Sequence, residues 1–299
     1  MFRKAEKKKT KLRLAISGVS GSGKTVGALT IAKALSDKVA VINTETGSGD
    51  IYSGKFQYDV CDIITPFTPE RYIQAIKGAD KEGYEVIIID SLSHEWSGEG
   101  GVLEMVDLAA KATSSKNSYS AWKDITPRHN RLVETILQSK AHIIVTLREK
   151  AAYEMQQNDR GKMVPIKLGL APVQREGLEY EFTTWFNLSI DGHIATASKD
   201  RTGLFDGRHF VIDETTGADL LKWLEDGKQE EPIPGADFMV GEIQACETLD
   251  SLKDCYLKYK PLLSGADLKR FADEKDKRKA ELEAIAQPDQ FMRELGTAA

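Results

Sequence analysis

The sequence has little cysteine. Cys61, Cys246 and Cys255 are odd in number and show no Cys-x-x-Cys spacing. That argues against a zinc site, and free thiols suit a reducing cytosol. No apolar run approaches membrane-spanning length. The basic N-terminus has no apolar segment behind it, so no signal peptide is visible. The expectation is a cytoplasmic protein with no membrane partner. An excess of positive charge is missing too: 41 Lys and Arg stand against 46 Asp and Glu, a net charge of −5. The molecule as a whole is therefore not a basic nucleic-acid binder, and any such contact must come from a local patch. No long internal repeat is visible. What is present is an ordinary globular composition, 41% hydrophobic and 29% charged over 299 residues. That is enough for one large domain with a small appendage.

Along the chain, residues 1–11 read as a flexible basic arm: Arg3, Lys4, Lys7, Lys8, Lys9 and Lys11 face only Glu6. From 12 to 225, short apolar runs alternate with helical patterns. The strand candidates are Leu12–Ser17, Val39–Asn43, Val86–Asp90, His142–Leu147, Thr183–Ile190, His193–Ser198 and Phe210–Ile212. The helical stretches are Val26–Leu35, Pro69–Glu82, Val102–Ala112 and Pro127–Lys140. Alternation of this kind predicts an α/β fold, a mostly parallel central sheet flanked by helices. Val86-Ile87-Ile88-Ile89 is continuously apolar, as a strand buried on both faces should be. The last strands are closely spaced and are expected to turn antiparallel at one edge. Residues 226–237 hold two prolines and two glycines among polar residues, a linker signature. Residues 238–299 then form a small helical module.

The chemistry is concentrated at Gly18-Val19-Ser20-Gly21-Ser22-Gly23-Lys24-Thr25. A strand precedes this stretch and a helix follows it. Gly18, Gly23, Lys24 and Thr25 fit G-x-x-x-x-G-K-[ST], the P-loop. Its glycines let successive backbone N–H groups, including those around Ser20, Gly21 and Ser22, turn inward on phosphate oxygens. The helix N-terminus adds partial positive charge. Lys24 is placed for the β- and γ-phosphates of ATP and Thr25 for Mg²⁺. A second signal is Asp90 at the end of Val86–Asp90, where a carboxylate is placed to hold the Mg²⁺ shell. A third is Glu45, after the strand Val39–Asn43, placed to orient an attacking water.

Glu45 and Tyr52, in Glu-Thr-Gly-Ser-Gly-Asp-Ile-Tyr, stand at a spacing that resembles the RecA recombinases. Lys199-Asp200-Arg201-Thr202-Gly203 resembles a further segment of RecA-like recombinases and ring helicases. The resemblance covers residues 12–215 and extends to phage-encoded single-domain RecA-like ATPases that assist recombination and single-strand annealing. It implies a RecA-like P-loop NTPase in which Glu45 is the catalytic glutamate and Tyr52 stacks on adenine. Lys199 and Arg201 would reach the γ-phosphate of a neighbouring subunit, so a homo-oligomer is implied. A γ-phosphate sensor is implied at the end of His142–Leu147. The family usually has Gln there; here Thr146 or Arg148 is nearest. Residues 149–178 read as a long irregular loop, which the family uses to bind single-stranded DNA, with Lys150, Lys162, Lys167 and Arg175 as the candidate contacts. The C-terminal module is a candidate docking element for a single-strand-binding protein. Two other readings share these motifs: a ring helicase or helicase loader, and a low-turnover ATP-gated scaffold.

Overall fold

The computed structural model describes residues 4–45, 47, 49–112, 118–157, 163–228 and 235–286. By internal contacts the chain divides after Lys228, into residues 1–228 and 229–299.

The first unit is built on β1 (Arg13–Gly18), β2 (Val39–Asn43), β3 (Asp59–Asp62), β4 (Val86–Asp90), β5 (His142–Gln157), β6 (Met163–Pro172), β7 (Thr184–Leu188), β8 (Ile194–Asp200) and β9 (His209–Val211). The sheet order is β3-β2-β4-β5-β1-β7-β8-β9, with β6 paired to β5 off this path. The strands from β3 through β7 run parallel, and β8 and β9 return antiparallel at the edge. β1, β2 and β4 are buried along their whole length. On one face, Leu14, Ile16, Val41, Ile88 and Ile144 pack on α1 (Lys24–Leu35). On the other, Ile42, Ile87, Ile89 and Val145 pack with Tyr72, Ile76, Leu132 and Ile136. Those last four lie on α2 (Pro69–Glu82) and α5 (Ser118–Gln138). α2 begins with Pro69, whose missing N–H costs nothing in the first turn, and stops at Gly83 with φ 81°. The remaining α-helices of this unit are α3 (Ser93–Ser97), α4 (Val102–Ala112) and α6 (Glu214–Glu225), and a short 3-10 helix spans Leu178–Glu181.

Three expectations fail here, and one strand is not foreseen. The segment after Leu147 is not an irregular loop: β5 runs on to Gln157 and pairs antiparallel with β6, from Glu149 opposite Pro172 to Gln157 opposite Met163. Its strand character rests on a ladder partner remote in sequence, which a local pattern does not reveal. The short edge strand β3, mostly exposed, has no apolar run to announce it. α5 begins nine residues before Pro127 rather than at it, because Ala121 and Ile125 pack against Val102 and Val106 of α4. The basic arm is not free. Lys9 N–H donates to Lys228 O at 3.0 Å and Thr10 N–H to Leu224 O at 3.2 Å. Lys7 pairs with Asp226 at 3.0 Å and lies over the Trp223 ring. Residues 226–228 thus belong to the first unit rather than to a linker.

The second unit holds α7 (Ala236–Ala245), α8 (Leu249–Tyr259) and α9 (Gly265–Ala286). Met239, Ile243, Leu252, Tyr259, Phe271 and Leu282 form its own core. Thr248 and Ser251 close a capping box at the start of α8. Among the described residues no helix is long and apolar enough to cross a membrane.

Candidate active site

β1 delivers Gly18 to the C-terminal edge of the sheet, and the P-loop curls from there into α1. A Cβ on Gly18 would stand 2.8 Å from Leu188 O, and Gly23 has φ 91°. Only glycine fits either place without a clash or strain. Ser22 Oγ is buried inside this curl with no hydrogen-bond partner. A cradle closed to side chains with an orphaned donor in it fits a phosphate group. Lys24 Nζ donates to Val19 O at 2.9 Å, so its ammonium lies back along the loop. Burial pulls Lys24 below the usual lysine range, while the charges of Asp90 and Glu45 act the other way. A polyanion beside it relieves that cost.

Asp90 ends β4, and β5 lies between β4 and β1. Thr25 Oγ1 donates to Asp90 Oδ2 at 2.6 Å, and Thr146 Oγ1 of β5 donates to Asp90 Oδ1. Burial pushes the Asp90 carboxyl up, and the two hydroxyl donors hold it back. Among the described residues no three His, Cys, Asp or Glu side chains converge on a metal position. Magnesium fits here nonetheless, since phosphate oxygens and water complete its shell around one or two protein groups. Thr25 and Asp90 are the residues that would hold it, and bound there it would neutralise charge on the phosphates.

The cleft has a volume of about 800 Å³. Glu45, Asp90, Arg148 and Glu149 gather with Lys24 and Thr25 on its lining. Arg148 donates from Nε and Nη2 to Glu45 Oε1, at 3.1 and 2.8 Å. Glu149 Oε1 accepts from Ser17 Oγ at 2.7 Å. Apolar lining comes from Val26, Leu188, Val211 and Ile212, with His193 beside them. His193 has φ 51°, and its Nδ1 lies 3.0 Å from Ser22 O, under the P-loop. Tyr52 also lines the cleft, half-buried among Thr25, Leu29, Val41 and Tyr58. The sequence reading missed Glu149, His193 and Ile212. Only Glu149 carried a signal, as a carboxylate next to a sensor candidate at a strand end.

The structure thus brings together Gly18, Ser20, Gly21, Ser22, Gly23, Lys24, Thr25, Glu45, Tyr52, Asp90, Thr146 and Arg148. It places Lys199 and Arg201 elsewhere. Lys199 stands opposite Trp185, and Trp185 opposite Ala15, three residues back along β1 from Gly18. Lys199 Nζ donates to Glu179 O and Tyr180 O, both at 2.6 Å, and Arg201 Nη2 to Tyr180 O at 2.9 Å. Within its own chain this cation pair closes the carbonyl end of the short 3-10 helix Leu178–Glu181. Of the candidate DNA contacts, Lys150 is exposed on β5 opposite Ala171, and Lys167 lies in β6 opposite Tyr153. Arg175 follows β6 and donates to Asn130 Oδ1 at 3.1 Å. Lys162 lies outside the described residues. The root of the ribbon is pinned to α3: Gln174 Nε2 donates to Leu92 O at 3.3 Å and to the fully buried Glu95 Oε2 at 3.2 Å. His129 Nδ1 lies 3.0 Å from Glu95 Oε1.

Residues 10–217 match the family model described as an AAA domain. The chain belongs to this AAA domain family. The matched AAA domain runs from just before β1 into α6, so it takes in the cradle, Asp90 and the whole sheet. An AAA domain of this kind is a P-loop ATPase fold, which implies nucleotide binding. No curated protein matches the chain.

Proposed function

We propose that the protein is a Mg-ATP-dependent hydrolase of the RecA-like type. It binds single-stranded DNA and promotes annealing or strand pairing in recombination, in the manner of phage-encoded ATPases of that kind. The observation that carries this reading is the path of β5. One strand supplies Thr146, Arg148 and Glu149 to the phosphate side of the cleft, then continues without a break into the β5–β6 ribbon that bears Lys150 and Lys167. A strand shared by two sites is a physical route by which a shift at one can reach the other. Basic groups on a two-stranded ribbon suit a phosphate backbone.

In this mechanism the backbone of Gly18–Thr25 and Lys24 bind the phosphates. Thr25 and Asp90 hold the divalent ion. Thr146 fixes the Asp90 carboxylate, and Arg148, paired with Glu45, turns to the γ-phosphate when nucleotide is bound. Glu45 faces the attacking water, and Tyr52, half-buried on the cleft lining, stacks on the adenine. Lys199 and Arg201 serve the adjoining copy in an oligomer, and the C-terminal module docks a single-strand-binding protein. The test is ATP turnover with and without single-stranded DNA, together with DNA affinity in ATP analogue and in ADP. Stimulated turnover and nucleotide-dependent affinity are expected. Turnover that ignores DNA, with no binding in either nucleotide, would remove the DNA half of the proposal.

A further inference from the structure

Three carboxylates line the cleft, and two are already engaged. Asp90 takes hydroxyl donors from Thr25 and Thr146. Glu45 Oε1 takes both N–H groups of Arg148. Glu149 differs, because what holds it is a neutral relay that leads back into the core. Ser17 Oγ, on a fully buried residue, stands 2.7 Å from Glu149 Oε1 and 3.1 Å from Asn187 Oδ1. The hydroxyl has one hydrogen, and the nearer, charged acceptor takes it. Ser17 Oγ in turn accepts from Trp185 Nε1–H at 3.1 Å. Trp185 is itself fixed edge-on against Phe182, with ring centroids 5.7 Å apart. Two buried polar groups therefore aim one carboxylate into the cleft from the opposite face of the sheet to α1.

Among the described residues Glu149 has no ion-pair partner. A carboxylate on the lining of this cleft weakens ATP binding by like-charge repulsion. Such a group is useful where it acts on the transition state rather than on the bound substrate. On the phosphate side of a hydrolytic cleft, the species it can act on is water, by accepting a proton.

We propose that Glu149 is a catalytic residue that shares the attacking water with Glu45 and accepts its proton, and that Ser17 and Trp185 are its positioning residues. This rests on the reading of the site as an ATP hydrolase. The water oxygen forms the new bond to the γ-phosphorus. The bond from that phosphorus to the β–γ bridging oxygen breaks, and its electron pair leaves on ADP. One water proton passes to the Glu149 carboxylate and then to solvent; the other stays on the released phosphate.

The experiment compares full-length wild type with Glu149→Gln, Ser17→Ala and Lys24→Ala, measuring kcat, KM, ATP dissociation constant and thermal midpoint for each. Glu149→Gln removes the charge from a half-exposed side chain. It is expected to lower kcat by about 100-fold, within the usual span for a lost general base, while ATP binds as tightly as to wild type or more so. Ser17→Ala is expected to lower kcat by about tenfold through misplacement of the carboxylate, with KM and thermal midpoint held. Wild-type kcat in Glu149→Gln overturns the assignment. A fall in Ser17→Ala that tracks a lowered midpoint and a raised KM overturns the relay. Wild type that binds ATP without turning it over, or Lys24→Ala that binds as well as wild type, overturns the hydrolase reading instead.

Discussion

Lys24 and Asp90 share one problem, a charge held in a buried place, and the cleft answers it with neighbours of known sign. Burial lowers the one and raises the other. Lys24→Ala should weaken ATP binding by about 10- to 100-fold, the loss of a charge-assisted phosphate contact; isothermal titration with ATP checks it. A second buried titratable group lies at the other end of β1. His142 Nδ1 accepts Leu12 N–H at 3.0 Å, and burial, with the cations Lys11 and Arg13 nearby, lowers the imidazole to about 4. Glu85 opposes them weakly. Folding therefore keeps His142 neutral where the unfolded chain protonates it. The stability this provides is complete above the unfolded value of about 6.5 and is lost as pH falls towards 4. Between pH 7 and pH 5 the loss should be about 2 kcal/mol. Urea unfolding of wild type against His142→Asn at both pH values measures it, and the variant should show a flatter slope.

At the scale of elements, α5 and the ribbon are each secured by single side chains. Arg13 donates to Ala141 O at 2.8 Å, Leu137 O at 3.0 Å and Ser139 O at 2.5 Å, just where α5 gives way to β5. Leu137 O is one of the carbonyls a helix end leaves unpaired, and Ser139 and Ala141 lie in the turn that follows. Arg13→Met should cost at least about 3 kcal/mol, since it strands several buried acceptors; equilibrium denaturation reads it. The ribbon tests the proposed coupling. Replacing residues 150–171 by a short Gly-Ser turn should leave ATP turnover without DNA within about threefold of wild type and abolish its stimulation by single-stranded DNA. Glu149 and Arg148 are kept in that variant, so the cleft keeps its lining. A uniform loss of basal turnover would instead make the ribbon part of the catalytic support.

At the scale of the whole molecule, the cation pair poses the sharpest question. Lys199 and Arg201 sit away from their own cradle and cap carbonyls in their own chain. If they also serve an adjoining copy, Lys24→Ala protein and Lys199→Ala/Arg201→Ala protein should each be inactive, and mixing them should restore part of the turnover. No recovery at concentrations where the wild type assembles would confine the pair to its capping role. The second unit has its own core of Met239, Ile243, Leu252 and Phe271. A chain ending at Lys228 should keep the wild-type ATP affinity, and competition binding with a fluorescent nucleotide checks it.

The amino-acid sequence determined the cradle, α1, β2, β4 and the placement of Asp90, because each depends on neighbours within a few residues: glycines where φ must be positive, apolar runs where both faces are buried, a carboxylate at a strand end. α2 was equally legible as the helical stretch Pro69–Glu82. The tertiary structure alone decided the strand character of β3 and of the ribbon, which need ladder partners, and the start of α5 upstream of Pro127, which needs α4. It also decided the tie between the basic arm and Lys228. Most of all it decided which polar groups meet in the cleft. Ser17, Glu149 and Trp185 are separated by as many as 168 residues in the chain, and they form one relay because β5, β1 and β7 lie side by side. Hydrogen bonds act over about 3 Å, so chemistry of this kind is written in the order of the sheet rather than in the order of the residues.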